Sequence, residues 1–281
     1  MNTKNSIPIW IDTDNALGSP IGDIDDAIAV AAVLKSGYPV TSVSNIFGNT
    51  FQPISFKQTQ HLLSLFNSQL PHYSGANTWW SKDSEASSAL AKVNFPIKIL
   101  ALGPLTNVAL ALKKNPLLKN FIQEIIFVGT NYTIQLPTWR FFDFNVFKDK
   151  NSALFVINSG VPVTLIPCDQ ARKTRMTFLE VQTISGEPGK FIAKQSKRWF
   201  RRAKFFKFQT SIPVWDLTAA MYLLWPDQFE LAPAIVTTNL LKHVKVKVVN
   251  KKTQIQTVKS FNPLLKNQML ELLQSHRSFL F

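Results

Sequence analysis

The chain has 281 residues, 46% of them hydrophobic, and its 31 lysines and arginines outnumber its 17 acidic residues, which gives a formal net charge of +14. This length is enough for one large α/β domain, and we find no repeat or linker rich in proline, glycine and serine, so we expect a single domain over residues 1–281. Its apolar runs are shorter than the about 20 residues of a membrane span, its N-terminus has no signal-peptide core, and its single cysteine, Cys168, excludes an internal disulfide and a cysteine-rich metal site, so we expect a cytoplasmic protein.

Short apolar segments alternate with segments of helical periodicity along most of the chain. Strands are predicted over 7–11, 40–44, 97–102, 124–128 and 163–166, and helices over 25–36, 54–66, 105–113 and 151–158. Further helices are predicted over 191–206, 215–224 and 263–275, and strands over 243–249 and 254–259 are predicted to pair as a small C-terminal hairpin. The alternation predicts an α/β fold with an open, mostly parallel, Rossmann-like sheet flanked by helices.

Polar residues follow these predicted strands at the points where the strands end. Asp12 and Asp14 end the first strand, Asn49 follows the second, Gly103 the third and Asn131 the fourth. Ligands of open parallel sheets bind outside the carboxyl ends of the strands. We therefore expect these residues to converge on one edge of the sheet.

Five aspartates lie between residues 11 and 26, namely Asp12, Asp14, Asp23, Asp25 and Asp26. Asp23 or Asp25 can cap the helix that begins there, since a carboxylate accepts unpaired N–H groups at a helix N-terminus. So many carboxylates at one strand end repel one another unless a divalent cation neutralises them. Oxygen ligands favour Ca²⁺ or Mg²⁺ over zinc, so the sequence predicts a site for one of these ions.

Five short motifs, taken in order, resemble those of the inosine–uridine nucleoside hydrolase family. They are Asp12-Thr13-Asp14 followed by Asp25-Asp26, then Phe47-Gly48-Asn49-Thr50, Leu102 to Ala109, Phe142-Asp143-Phe144-Asn145, and Trp215-Asp216. The resemblance spans about residues 7–275. It implies a Ca²⁺-dependent nucleoside N-ribohydrolase that acts on a small nucleoside and assembles as a homodimer or homotetramer.

The resemblance also implies a role for each matching residue. The Ca²⁺ ligands would be Asp14, Asp26, Asp216 and the main-chain carbonyl of Leu102. The ribose 2′- and 3′-hydroxyls would be bound by Asp25, Asn145 and Asp216, with help from Asn49. Asp143 and Asn131 would reach the 5′-hydroxyl, and Asp14 would take the proton of the attacking water.

The chain departs from the family pattern in three places. The loop between Asp14 and Asp25 is longer than in the best-known members, and Asp143 stands where they have glutamate. Trp215 replaces a histidine that in many members helps protonate the leaving base, which removes that route. Aromatic stacking can activate the base instead, so we expect a purine preference. The candidate stacking residues are Trp79, Trp80, Trp139, Trp199 and Trp215.

Residues 194–208 form a stretch in which lysines and arginines alternate with aromatic residues. A solvated basic helix face, a surface for single-stranded nucleic acid, a surface for anionic membranes and a means of attracting phosphorylated substrates all fit this pattern. In the family this region corresponds to a mobile helix that covers the active site, so the resemblance implies lid helices here.

Three other functions remain open from the sequence. Phosphatases of the haloacid dehalogenase type also begin with Asp-x-Asp after a strand, but this chain lacks the threonine or valine they have two residues later, and Asp25-Asp26 has no role in them. A nucleoside- or ribose-binding homologue that has lost turnover would fit the changes at Trp215 and Asp143. A nucleic-acid-binding protein would fit the charge of +14.

Overall fold

The structure is a computed structural model that describes residues 6–19, 22–132, 143–207, 209–238 and 244–275. The strands among them are β1 (Ile9–Thr13), β2 (Val40–Asn45), β3 (His72–Ser74), β4 (Ile97–Ala101), β5 (Ile122–Val128), β6 (Val163–Ile166), β7 (Arg175–Thr177), β8 (Ser211–Pro213), β9 (Phe229–Thr238), β10 (Val244–Val248) and β11 (Ile255–Phe261). Nine strands form one sheet in the order β10-β9-β11-β6-β5-β4-β1-β2-β3, and β7 pairs with β8. From β11 to β3 every neighbouring pair in the large sheet is parallel, as predicted.

Helices cover both faces of the sheet. They are α1 (Asp25–Ser36), α2 (Gln52–Leu65), α3 (Glu85–Leu90), α4 (Thr106–Lys114), α5 (Phe144–Lys148), α6 (Lys150–Ile157), α7 (Cys168–Ala171), α8 (Phe178–Gln182), α9 (Gly186–Lys207), α10 (Trp215–Leu224) and α11 (Leu265–Gln274). Short 3-10 helices lie at Pro116–Asn120 and Pro226–Gln228. None of the helices in the described residues is long and apolar enough to span a membrane.

The central strands are buried on both faces, which explains their continuous apolar sequences. Along β4, Ile99 packs into the core layer shared with α4 and α6, and Leu100 packs into the opposite layer, shared with α1 and α10. Helix α1 is buried along its whole length, because it lies between the sheet, α10 and α11. It ends at Gly37, whose φ of 69° is the left-handed conformation that favours glycine.

The predicted C-terminal hairpin is wrong in its pairing. Strand β9 lies between β10 and β11 and pairs antiparallel with both, so these strands extend the large sheet. The sequence pattern missed β9 because it contains Pro233, which has no N–H to donate and is disfavoured inside a sheet. Residue 243, the first of the predicted hairpin, lies outside the described residues.

Candidate active site

Four segments meet at the C-terminal edge of the sheet. Asp14 follows β1, and Leu102 follows β4. Asp25 and Asp26 form the first turn of α1, and Asp216 lies in the first turn of α10. These residues are all buried, although charged side chains rarely are. We call Asp14, Asp23, Asp25, Asp26 and Asp216 the carboxylate centre.

Hydrogen bonds from main-chain N–H groups and from the Thr13 hydroxyl hold one side of these carboxylates. Asp26 Oδ1 accepts from the Thr13 hydroxyl and from the Asp14 N–H, the latter at 3.2 Å. Asp14 Oδ2 accepts from the Asn49 N–H at 2.6 Å. Asp25 Oδ2 accepts from the Trp215 N–H at 3.1 Å, so α1 and α10 are joined at their N-termini.

The other side of the carboxylates carries oxygens without a protein partner. Asp14 Oδ1, Asp23 Oδ1, Asp25 Oδ1 and Asp26 Oδ2 are buried and have no hydrogen-bond partner among the described residues. Burial, with a smaller contribution from Asp25, raises the pKa of Asp26 to about 7. Burial and then the Asp26 charge raise the pKa of Asp14 well above its ordinary value. Positive charge nearby lowers such raised pKa values and favours the ionised carboxylates.

This arrangement fits a hard divalent cation. Carboxylate oxygens of Asp23, Asp25 and Asp26 lie within 4.8 Å of one another, and the pKa of Asp216 is raised by burial and then by Asp25 and Asp26, so Asp216 lies within electrostatic reach. All the donors are oxygens, as Ca²⁺ and Mg²⁺ require. The sequence places Asp23 in the acidic cluster, and the resemblance gives it no part among the ligands. Ile24, and not Asp23, occupies the N-cap position of α1. The structure therefore adds Asp23 to the candidate ligands.

Two glycines let the backbone approach Asp14. A Cβ at Gly48 would overlap the Asp14 carboxylate, and a Cβ at Gly103 would lie 3.1 Å from Asp14 Cβ and 2.6 Å from Ile46 Cγ2. Both glycines belong to motifs singled out in the sequence. Their contribution is space for the Asp14 carboxylate.

Asn145 connects the start of α5 to two strand ends. Its Nδ2 donates to the Leu102 carbonyl at 2.6 Å and to the Val128 carbonyl at 2.9 Å. This places Asn145 beside Leu102, which the family resemblance makes a metal ligand. The structure therefore brings both residues to the predicted edge.

Asp143 has a structural task in addition to any contact with substrate. One of its oxygens accepts from the Val146 N–H at 3.1 Å, which caps α5, and the other accepts from the Thr130 N–H. Burial raises its pKa to about 6. Asn131, the other residue predicted near the 5′-hydroxyl, is buried, and its carbonyl accepts from Val246 in β10.

A polar network behind the carboxylate centre was not foreseen in the sequence. Asp12 Oδ1 accepts from the Ser44 hydroxyl at 2.6 Å and from Asn107 Nδ2 at 2.9 Å, and Trp10 Nε1 donates to the Ser44 hydroxyl at 2.7 Å. Asn107 Oδ1 also accepts from the Ala76 N–H. Asn107 lies in the motif Leu102 to Ala109, in which the resemblance gives a role to Leu102 and none to Asn107.

The predicted aromatic residues lie in different environments. Trp215 and Trp199 are half-buried and pack against the core layer that contains α1. Trp79 and Trp80 are 56% and 64% exposed and contact each other edge to face, with ring centroids 5.0 Å apart. They follow Ala76, whose N–H bonds to Asn107. Trp139 lies outside the described residues.

Helix α9 carries the basic stretch and borders the loop after β1. A Cβ at Gly18 in that loop would lie 2.9 Å from Gln195 Oε1 of α9. Lys194, Lys197, Arg198 and Arg201 are exposed. The helix is thus adjacent to the loop between Asp14 and Asp25, and these four basic side chains face solvent.

Comparisons with known proteins agree with this geometry. The family model described as inosine-uridine preferring nucleoside hydrolase matches residues 9–270. The non-specific ribonucleoside hydrolase RihC of Escherichia coli is 24% identical over 264 residues, covering 82% of this chain and 83% of that protein. The structure of a purine-preferring ribonucleoside hydrolase from Gardnerella vaginalis aligns with a TM-score of 0.79 at 20% identity, covering 95% of this chain and 98% of that one. A plant nucleoside hydrolase, PpNRh1, aligns with a TM-score of 0.77 at 20% identity and the same coverage. The two structural likenesses show a shared fold.

Proposed function

Because the chain belongs to the inosine-uridine preferring nucleoside hydrolase family and is a nucleoside N-ribohydrolase, we propose that it hydrolyses ribonucleosides with Ca²⁺ held in the carboxylate centre. The observation that carries this proposal is the set of buried carboxylate oxygens without a partner among the described residues. Their combined negative charge is stable in a buried site only beside a cation.

The proposed Ca²⁺ ligands are Asp14, Asp26, Asp216 and the Leu102 carbonyl, and Asp23 is close enough to add a further oxygen. Bound there, the ion would lower the pKa of a coordinated water and so supply a nucleophile at neutral pH. Asp14 Oδ2 is held by the Asn49 N–H at 2.6 Å, which leaves Oδ1 to take the proton of the attacking water. Asp14 is therefore the proposed general base.

Binding of the ribose hydroxyls is proposed for Asp25, Asn145 and Asp216, with help from Asn49. Breaking the bond between C1′ and the base builds positive charge on the sugar, as in glycoside hydrolysis. Fixed carboxylates around the sugar stabilise that charge without having to reorient. The bond from the Trp215 N–H to Asp25 Oδ2 and the two bonds made by Asn145 hold these groups in place.

A purine preference is proposed from the aromatic residues. Trp215 precedes Asp216, and its main-chain N–H bonds to Asp25. The indole is therefore attached to a backbone position beside the proposed sugar site. Stacking on an indole spreads over a purine more completely than over the smaller pyrimidine ring. Trp79 and Trp199 are proposed as further base contacts.

The test is ribose release from a panel of purine and pyrimidine nucleosides. The protein is stripped with a chelator and assayed alone, with added Ca²⁺ and with added Mg²⁺. Activity that disappears with chelator and returns with Ca²⁺ supports the proposal, and the panel names the base. Full activity in chelator contradicts the role of the metal.

A matched pair of variants tests the proposed base. Asp14→Asn should lose at least about 10³-fold in kcat, whereas Asp227→Asn, which changes an exposed aspartate in a 3-10 helix, should retain activity. Equal activity in both variants would remove Asp14 from the mechanism.

We also propose a homodimer or homotetramer, from the family resemblance, and a cytoplasmic location, from the sequence. Light scattering coupled to size-exclusion chromatography measures the assembly. A monomer of 31.7 kDa would contradict the proposed oligomer and leave the chemistry unaffected.

A further inference from the structure

Thr130, the second residue after β5, has an unusual backbone conformation. Its φ is +71°, and in the described part of the chain Asn67 is the other non-glycine residue with positive φ. Asparagine tolerates this region, but a β-branched residue there is strained. Two hydrogen bonds impose the conformation. The Thr130 N–H donates to Asp143, and the Thr130 carbonyl accepts from the Cys168 N–H at 3.0 Å.

The side chain of Thr130 adds a second unfavourable feature. The residue is fully buried, and its hydroxyl has no hydrogen-bond partner among the described residues. A buried hydroxyl without a partner destabilises the folded state. Strain and an unpaired hydroxyl in one residue indicate a function that requires this hydroxyl at this position.

The neighbours of Thr130 place it at the border of the active site. Asn145 bonds to the carbonyl of Val128, two residues earlier. Charges of Asp143, Asp216 and Asp25 all contribute to the raised pKa of Cys168, after burial. Thr130 therefore joins Asp143, two residues before Asn145, to Cys168 at the start of α7.

We propose that the Thr130 hydroxyl binds the 5′-hydroxyl of the ribose and makes Thr130 a specificity-determining residue. The inference rests on the proposed function. Asp25 and Asn145 serve the 2′- and 3′-hydroxyls, and both oxygens of Asp143 already accept main-chain N–H groups. An alcohol both donates and accepts, so the threonine hydroxyl suits another alcohol. A 5′-phosphate at this position would bring negative charge toward Asp143, which accepts from the Thr130 N–H, so a neutral 5′-hydroxyl fits it better.

The test compares inosine with 5′-deoxyinosine on the full-length protein loaded with Ca²⁺. The parent should prefer inosine in kcat/KM by about tenfold, the factor expected for one hydrogen bond in a buried site. Thr130→Val keeps the shape of the side chain and removes the hydroxyl. It should lower kcat/KM for inosine about tenfold and change kcat/KM for 5′-deoxyinosine by less than about twofold. Thr130→Ser should keep the preference.

Thr130→Gly separates the hydroxyl from the backbone strain. Glycine adopts positive φ freely, so this variant should melt at or above the Tm of the parent while losing the preference as Thr130→Val does. If Thr130→Val does not fold, Thr130→Gly takes its place in the kinetic comparison of the two compounds. An equal loss on both substrates in Thr130→Val or Thr130→Gly, or an unchanged preference, would overturn the proposal.

The same two compounds distinguish a failure of the Thr130 proposal from a failure of the proposed function. If the parent releases no ribose from either compound, the proposed hydrolysis of these substrates fails. Calorimetric Kd values for the two compounds then make the same comparison. Tighter binding of inosine that Thr130→Val abolishes supports the role of Thr130, and equal binding by the parent contradicts it.

Discussion

The side-chain amide of Asn145 donates to the carbonyl of Leu102 at 2.6 Å and to that of Val128 at 2.9 Å. One side chain at the start of α5 thus fixes the ends of β4 and β5, which are neighbours in the sheet. The Leu102 carbonyl is a proposed metal ligand and Asn145 is a proposed sugar contact, so this side chain would link the two parts of the site.

Replacing Asn145 should therefore affect stability and turnover together. Asn145→Ala leaves two carbonyls without their partner, which should lower the free energy of unfolding by about 1–3 kcal/mol. The loss of a sugar contact should lower kcat/KM by about 10²-fold. Denaturant melts and steady-state kinetics measure the two effects.

Asn158→Ala is the matched control for this prediction. Asn158 is exposed, and its amide bonds to the Leu154 carbonyl at 2.8 Å within α6. We expect a change in unfolding free energy below about 1 kcal/mol and unchanged kinetics. If Asn145→Ala is as active as this control, Asn145 has no part in the reaction.

Gly48 tests whether the space beside Asp14 is needed. The Cβ of Gly48→Ala would overlap the Asp14 carboxylate and displace it, so we expect weaker Ca²⁺ binding and at least about a 10²-fold loss of kcat/KM. Calorimetric titration with Ca²⁺ and ribose-release kinetics are the measurements.

Gly160→Ala provides the contrast to Gly48→Ala. A Cβ at Gly160 meets no atom within 4 Å, but the residue has φ of +86°, so alanine there should cost about 1–2 kcal/mol in stability through backbone strain alone. Ca²⁺ affinity should not change. Equal affinities in the two variants would show that the Gly48 contact does not matter.

The buried carboxylates predict how stability depends on pH without metal. Burial raises the pKa of Asp12 to about 7, burial helped by Asp25 raises that of Asp26 to about 7, and burial raises that of Asp143 to about 6. The folded state holds these protons more tightly than the unfolded state does. The resulting stability is present below about pH 4 and is lost as the pH rises through about 7.

We therefore expect the Tm of chelator-treated protein to fall between pH 5 and pH 8. Added Ca²⁺ should raise the Tm more at pH 8 than at pH 5, because cation binding requires ionised carboxylates. Thermal melts with chelator and with Ca²⁺ across this range make the comparison. A Ca²⁺ effect of the same size at both pH values would argue against binding by these carboxylates.

Trp215 should influence which base is cleaved. Trp215→Ala keeps the main-chain bond to Asp25 and removes the indole, so we expect kcat/KM for purine nucleosides to fall about tenfold with Ca²⁺ affinity unchanged. Kinetics on the nucleoside panel and calorimetry provide the data.

Trp225, at the other end of α10, is the control for Trp215. It also packs against the core layer that contains α1, so Trp225→Ala should lower stability without changing base preference. Unchanged purine kinetics in Trp215→Ala would remove the proposed stacking role.

The sequence by itself determined the elements and residues that depend on local pattern. The helix over 215–224 was predicted with the bounds it has in the structure, and Asp25 and Asp26 lie at the start of α1 as expected. The convergence of Asp14, Asn49 and Gly103 also followed from the sequence, because the carboxyl ends of parallel strands meet at one edge of the sheet.

Only the tertiary structure decided which groups pair across long separations in the chain. Strand β9 between β10 and β11 and the Asp12 bond to Asn107 depend on segments brought together by packing. Asp143 shows the reason. Its place in a motif predicts a polar site, and the bond from the Val146 N–H is a local helix cap. The bond from the Thr130 N–H depends on how β5 and α5 meet, and no local pattern encodes that meeting.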